Sequence, residues 1–212
     1  MHRPALSLLV LTLVAACTPT ASPVSRPKLI SRPVTAADRI VHGARKEVLR
    51  GVVYDASYQA LDYPGGDVPK DRGSCTEVVI RALREAGYDL QELMHQDMRR
   101  RFSAYPKRYG LRRPDRNIDH RRCANQIVFF RRYGRGLPRG TAGDAARTWQ
   151  PGDIVYVRLP GGLLHTGICT NRRNARGLPF VIHNMSRAVE EDVLERCEIV
   201  GHFRFPVRRQ WP

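Results

Sequence analysis

Beyond residue 35, apolar positions first recur at helical spacing and then, past Trp149, at strand spacing. Residues 36–49 carry Ile40, Val41, Ala44, Val48 and Leu49, which predicts an amphipathic helix laid against a core. A second helix is expected over 75–85 and ends at Gly87; a third covers 90–102, and a fourth falls within 123–133. Residues 54–73 read as a loop, with Pro64-Gly65-Gly66-Asp67 and Pro69 as turn signals, and 105–122 as polar and irregular. His95 and Asp97, on the third helix, are expected at the surface. The turn Pro151-Gly152 leads into the β-rich run Asp153-Ile154-Val155-Tyr156-Val157, and further strands are expected at 164–170, 179–184 and 198–205. Helices first and strands afterwards predict an α+β domain, its N-terminal helices packed on a C-terminal antiparallel sheet.

With 212 residues, 42% of them hydrophobic, the chain suits one domain able to bury a core without disulfides. Its N-terminus reads differently. His2 and Arg3 precede an apolar run over 5–16 that is too short to span a bilayer and of signal-peptide length. The run ends in Val14-Ala15-Ala16-Cys17, which resembles a bacterial lipobox, so residues 1–16 are expected to be a lipoprotein signal and Cys17 the lipidated residue. An ordinary secretory signal with an incidental Cys17 is the second reading. Residues 17–35, with Pro19, Pro23, Pro27 and Pro33, lack an apolar period and suit an extended tether; residues 36–212 form the folded domain. A chain so addressed belongs in the cell envelope, held to the membrane by its lipid, at the periplasmic face of the outer membrane if the host is Gram-negative.

A formal charge of +16 would ordinarily raise nucleic acid as a partner. Export argues against that and turns attention to anionic envelope polymers such as peptidoglycan. The Arg pairs are scattered, from Arg100-Arg101 to Arg208-Arg209, and read mainly as solvated surface of a monomer.

Four cysteines remain past Cys17: Cys75, Cys123, Cys169 and Cys197. Their pairing is open. Ser74-Cys75-Thr76-Glu77 forms a capping box, with Ser74 as the cap and Cys75 in the first turn, where free amides and the helix dipole favour a thiolate and an oxyanion. Alone, a Cys at a helix start is more often a buried small hydrophobe or half of a disulfide than a nucleophile. A thiolate nucleophile needs a base, and the base an orienting group. His165 and His183 fall on successive strands, where they can meet. No His or Cys pair has the short spacing of structural zinc, so neither metal nor cofactor is expected.

Tyr63-Pro64-Gly65-Gly66, Cys75 at a helix start, Pro151-Gly152-Asp153-Ile154-Val155, His165-Thr166-Gly167-Ile168 and Val181-Ile182-His183 occur in that order. The series resembles the NlpC-type branch of papain-like cysteine peptidases, which cleave cell-wall peptides. The resemblance implies a papain-like fold with Cys75 as nucleophile, His165 as base, His183 as orienting residue, and Tyr63 near the substrate. The set Tyr63-Pro64, Cys75-Thr76-Glu77-Val78-Val79, Asn117-Ile118-Asp119-His120-Arg121-Arg122, Trp149-Gln150-Pro151-Gly152-Asp153 and Ile182-His183-Asn184 is more closely similar to the bacterial domain of unknown function 1287. Ser74-Cys75-Thr76-Glu77 stands where those peptidases commonly have Asp-Cys-Ser-Gly, which implies a different reception of the substrate's amino end.

The insertion after the Cys75 helix holds Asp115, Asn117, Asp119, His120 and Arg121. It is expected either to line the cleft, with Arg121 or Arg122 gripping substrate carboxylates, or to be a hydrogen-bonded loop capping the fourth helix. Together these readings predict an envelope cysteine amidase or endopeptidase acting on peptidoglycan stem peptides. The alternatives are a wall-binding domain without turnover, and an acyltransferase or thioesterase using the same residues.

Overall fold

Thr35 accepts a hydrogen bond from the Asp38 amide and receives the Asp38 carboxylate in return, which starts helix α1 (Ala36–Arg50). Gly51 ends it in the left-handed conformation, at φ 65°. The computed structural model describes residues 35–107 and 110–206. Cys17, the signal run and all of the tether before Thr35 lie outside the described residues.

After α1 come the short strand β1 (Val53–Tyr54) and, past the Pro/Gly loop, β2 (Arg72–Gly73), which pair in parallel. Helix α2 (Cys75–Glu85) packs along α1. The two backbones close on each other at Gly43, where a Cβ would lie 2.8 Å from Glu85 Cβ and 2.9 Å from the Ala82 Cα. Helices α3 (Leu90–Arg101) and α4 (Cys123–Tyr133) complete the helical layer.

The sheet consists of β3 (Arg135–Gly136), β4 (Ile154–Arg158), β5 (Leu164–Arg173), β6 (Pro179–Asn184), β7 (Ala188–Glu191) and β8 (Glu198–Arg204). Their order is β3-β8-β4-β5-β6-β7, with every neighbouring pair antiparallel. The architecture is therefore the α+β arrangement that the apolar pattern predicts. Strand β7 escapes that pattern, because Ala188-Val189-Glu190-Glu191 alternates burial with two carboxylates and sits at the sheet edge.

Both faces of the sheet are covered, which explains why Ile154-Val155-Tyr156-Val157 is apolar without alternation. Ile154, Tyr156, Ile168, Ile182 and Phe203 face the helices and meet Val79, Leu83, Met94 and Phe130. Val155, Val157, Cys169 and Val181 face a smaller cluster built on Trp149, Leu178 and Leu194.

Buried ion pairs set the loops around this core. Asp97 is fully buried rather than on the surface, since it accepts from Tyr105 and Tyr133 hydroxyls at 2.7 Å each and from the Arg132 guanidinium. Asp153 accepts from His202 at 2.9 Å, from Arg204 at 2.7 Å and from the Gln150 amide, which pins the turn before β4 to strand β8. His202 stacks on Trp149 with ring centroids 3.6 Å apart. Arg81 on α2 pairs with Glu47 and Asp67 and donates to the carbonyls of Val68, Pro69 and Arg72, so the loop leading to Cys75 is moulded onto the helix that follows it.

Candidate active site

Ser74 adopts an extended backbone and caps α2, its hydroxyl accepting from the Thr76 amide. Glu77 reaches back to the Ser74 amide at 2.6 Å and completes the capping box expected from the sequence. Cys75 is thereby placed at the first position of the helix, 6% exposed, in the lining of a cleft of about 250 Å³. Tyr54, Ala56, Arg121, Cys123, Leu163 and Leu164 are among the residues that line it.

Helix α2 packs on β5, the strand that carries His165. Strand β6 lies on the far side of β5, with His183 directly opposite Gly167. His165 is two residues earlier on β5 and so shares a face with Gly167. The two rings meet edge to face, with His165 Nε2 3.1 Å from His183 Nδ1. The His165 ring and the Thr166 amide both favour the charged form of the Cys75 sulfur. Cys75, His165 and His183 thus form a continuous line.

The electrostatics follow. The Cys75 thiol is held well below its ordinary value chiefly by the hydrogen bond from Cys123, then by the His165 ring, against an opposing effect of burial. Cys123 is pushed the other way by the same bond and by burial, so Cys123 keeps the shared proton and Cys75 is the thiolate. Burial and the neighbouring His165 lower His183 to about 4, so His183 is neutral near pH 7. Its Nε2 lies 3.8 Å from the Glu191 carboxylate on β7, beyond hydrogen-bond distance.

Of the other expected site residues, Ser74 and Arg121 line the cleft, and Tyr63, Asp119 and His120 do not. Tyr63, before a cis Pro64, packs against His95 at 5.1 Å and lies beneath Arg116, outside the residues lining the cleft. Tyr54 occupies the cleft wall instead; burial and the nearby Cys75 and Cys123 sulfurs raise its phenol above the ordinary value. Arg121 lines the cleft, but its Nε donates to Glu77 at 2.5 Å and its Nη1 to the Ser57 carbonyl. It staples the insertion to the start of α2, helped by Thr76 Oγ1 donating to the Arg121 carbonyl. Asp119 is buried and accepts from the Asp115 amide, Arg122 and Asn125. His120 is buried away from the cleft and lowered to about 3, first by burial and then by Arg121 and Arg84. These bonds tie the insertion to α2 and α4, while Arg121 and Arg122 also line the cleft.

Sequence reasoning misses Cys123, whose Sγ lies 3.7 Å from that of Cys75. Its own signal is present, since it opens a helix as Cys75 does, but nothing in the sequence tells that two helix starts converge. Asn184 likewise gives no sign of its role. Its side chain donates to the Gly73 carbonyl at 2.8 Å and to that of Val52, tying the end of β6 to the strand before Ser74.

An α+β domain with a Cys-His-His line that meets a surface cleft at Cys75 is the class of protein that fold and site define. The chain belongs to the family described as Domain of unknown function (DUF1287), which it matches over residues 41–205. It is similar to "Uncharacterized protein YijF" of Escherichia coli (strain K12), with 42% identity over 205 residues, covering 95% of this chain and 98% of that protein.

Proposed function

We propose that the protein is a cysteine hydrolase with Cys75 as nucleophile, acting as an amidase or endopeptidase on peptidoglycan stem peptides. The observation that carries the reading is the line from the Cys75 thiolate through His165 to neutral His183, meeting an open cleft at Cys75. The layout, a nucleophile at a helix start packed on the strand of its base, resembles NlpC-type papain-like peptidases.

The chemistry follows from the geometry. The Cys75 thiolate attacks the carbonyl carbon of the scissile amide, and the displaced electron pair moves onto the carbonyl oxygen. Thr76 and Glu77 amides are occupied by Ser74, which leaves the Cys75 amide of the first turn to hold that oxyanion. His165 gives its proton to the departing nitrogen as the C–N bond breaks, and a thioester on Cys75 remains. Water, deprotonated by His165, then adds to the thioester carbonyl; the C–S bond breaks, the acid leaves and the Cys75 thiolate is restored. His183 keeps the ring of His165 aimed throughout.

The substrate side of the proposal rests on address and charge. A lipid on Cys17 and a Pro-rich tether would hold the domain against the envelope. The charge of +16 would concentrate it on carboxylate-bearing wall material. The test is incubation of wild type and Cys75→Ala with intact and digested wall fragments, read by mass spectrometry. A Cys75-dependent gain of water by a peptide-bearing fragment supports the proposal. Turnover of esters or thioesters alone, or binding without turnover, replaces it with the corresponding alternative. Labelled fatty acid entering wild type and not Cys17→Ala checks the anchor.

A further inference from the structure

Cys123 forms no bond to substrate in the hydrolytic sequence, yet it lines the same cleft. Its Sγ is 3.7 Å from Cys75 Sγ, against about 2.05 Å in a disulfide. The two residues open α2 and α4, so each sulfur lies at the positive end of a helix. Both line the cleft and are open to a small oxidant. The other two described cysteines are placed differently. Cys169 is fully buried in the cluster on the far face of the sheet, and Cys197 packs against that cluster.

We infer that Cys75 and Cys123 are a reversible oxidation site, in which a hydroperoxide converts the two thiols into a disulfide and silences the nucleophile. The Cys75 thiolate attacks the terminal oxygen of ROOH; the O–O bond breaks, Cys75 becomes the sulfenic acid, and the alkoxide leaves as ROH after taking a proton. Cys123 then attacks the Cys75 sulfur. The S–O bond breaks, and the departing hydroxide leaves as water with the proton that Cys123 gives up. Two thiols and one hydroperoxide yield one disulfide, one ROH and one water. The second step is prepared by the first. While Cys75 is an anion it holds the proton on Cys123, and the uncharged sulfenic acid removes that hold. A dithiol reductant reverses the sequence. The site itself stands on the pair's geometry; its effect as an off-switch rests on the hydrolase reading.

The experiment treats reduced, purified protein with one equivalent of hydrogen peroxide, blocks residual thiols with an alkylating reagent, and maps the digest by mass spectrometry. Expected is a Cys75–Cys123 linked peptide pair, two hydrogens lighter than the separate reduced peptides and parted by dithiothreitol, with Cys169 and Cys197 alkylated. In Cys123→Ser, Cys75 should instead take up dimedone as the sulfenic acid and pass on irreversibly to the sulfinic acid. Sulfinic Cys75 beside alkylated Cys123 in the wild type overturns the inference, as does a link to Cys169 or Cys197. Wall-fragment hydrolysis should fall in proportion to the linked fraction and return on reduction; hydrolysis that persists in the linked protein overturns the switch. A link that forms in a protein hydrolysing nothing upholds the oxidation site and removes the hydrolase reading, so the two failures are distinguishable.

Discussion

His183 faces Gly167 across neighbouring strands, and the missing side chain at 167 lets β6 come close enough for His183 to reach His165. A Cβ on residue 167 would lie 2.5 Å from the Ile182 carbonyl, 2.6 Å from Val181 Cγ1 and 3.1 Å from His183 Cβ. Gly167→Ala should therefore shift the orienting residue without touching the nucleophile. Overpacking of this kind costs about 1–3 kcal/mol. The rate should fall more than stability implies, approaching the roughly hundredfold loss of removing an acid–base group as in His165→Ala. His183→Asn should outperform His183→Ala, since an amide still offers a hydrogen-bond acceptor. Equal rates for those two variants, alongside an active Gly167→Ala, would remove His183 from the line.

The thiolate at Cys75 owes most to Cys123, and the dependence is measurable. The rate of iodoacetamide alkylation at Cys75, followed against pH, should have its midpoint well below the free-thiol value of about 8.5. Cys123→Ala should move that midpoint upward. A curve unchanged by Cys123→Ala would mean that His165 and the Thr166 amide hold the charge without help.

Two buried imidazoles make stability depend on pH. His120 and His183 have values of about 3 and about 4 in the folded chain, against an ordinary 6.5. Between those values and 6.5 the unfolded chain binds protons that the folded chain does not. Their contribution is thus fully present above about 6.5 and declines as pH falls, by up to about 1.4 kcal/mol per pH unit for each ring. Urea midpoints measured from pH 7.5 to 4.5 should fall accordingly, and His120→Gln should flatten the slope. A midpoint that rises on acidification contradicts the burial of these rings.

Arg121 offers a test of support against substrate contact. Its ion pair with Glu77 is buried on both sides, and removing one partner of such a pair costs about 3–5 kcal/mol. Arg121→Ala should lower the melting temperature and lower kcat through loss of the α2 cap, with little effect on KM. A stable variant whose KM alone rises would return Arg121 to the role of a substrate ligand.

Much of this architecture is legible in the amino-acid sequence, and the reasons are local. The capping box at Ser74 and Glu77, the apolar stripe through Val79 and Leu83, and the glycine turn before His165 depend on residues within a few positions of each other. Those signals place helix α2 and strands β4, β5, β6 and β8 to within a few residues. What the sequence hides depends on long-range packing. Asp97 reads as an ordinary helix carboxylate until Tyr105, Tyr133 and Arg132 converge on it. Tyr63 has a motif to recommend it, but the tyrosine that reaches the cleft is Tyr54, placed there when β1 pairs with β2. Cys123 adjoins Cys75 across a separation of 48 residues, which no periodicity reveals.

The most direct measurement is the mass of Cys75 itself during turnover. Wild-type protein mixed with wall-derived peptides and quenched in acid within milliseconds to seconds should carry an acyl group on the Cys75 peptide, labile to hydroxylamine as a thioester is. The adduct should be absent from Cys75→Ala and should accumulate or decay in step with product release. Release of product with no acyl group on Cys75 at any time, or release that persists in Cys75→Ala, contradicts the account at its centre.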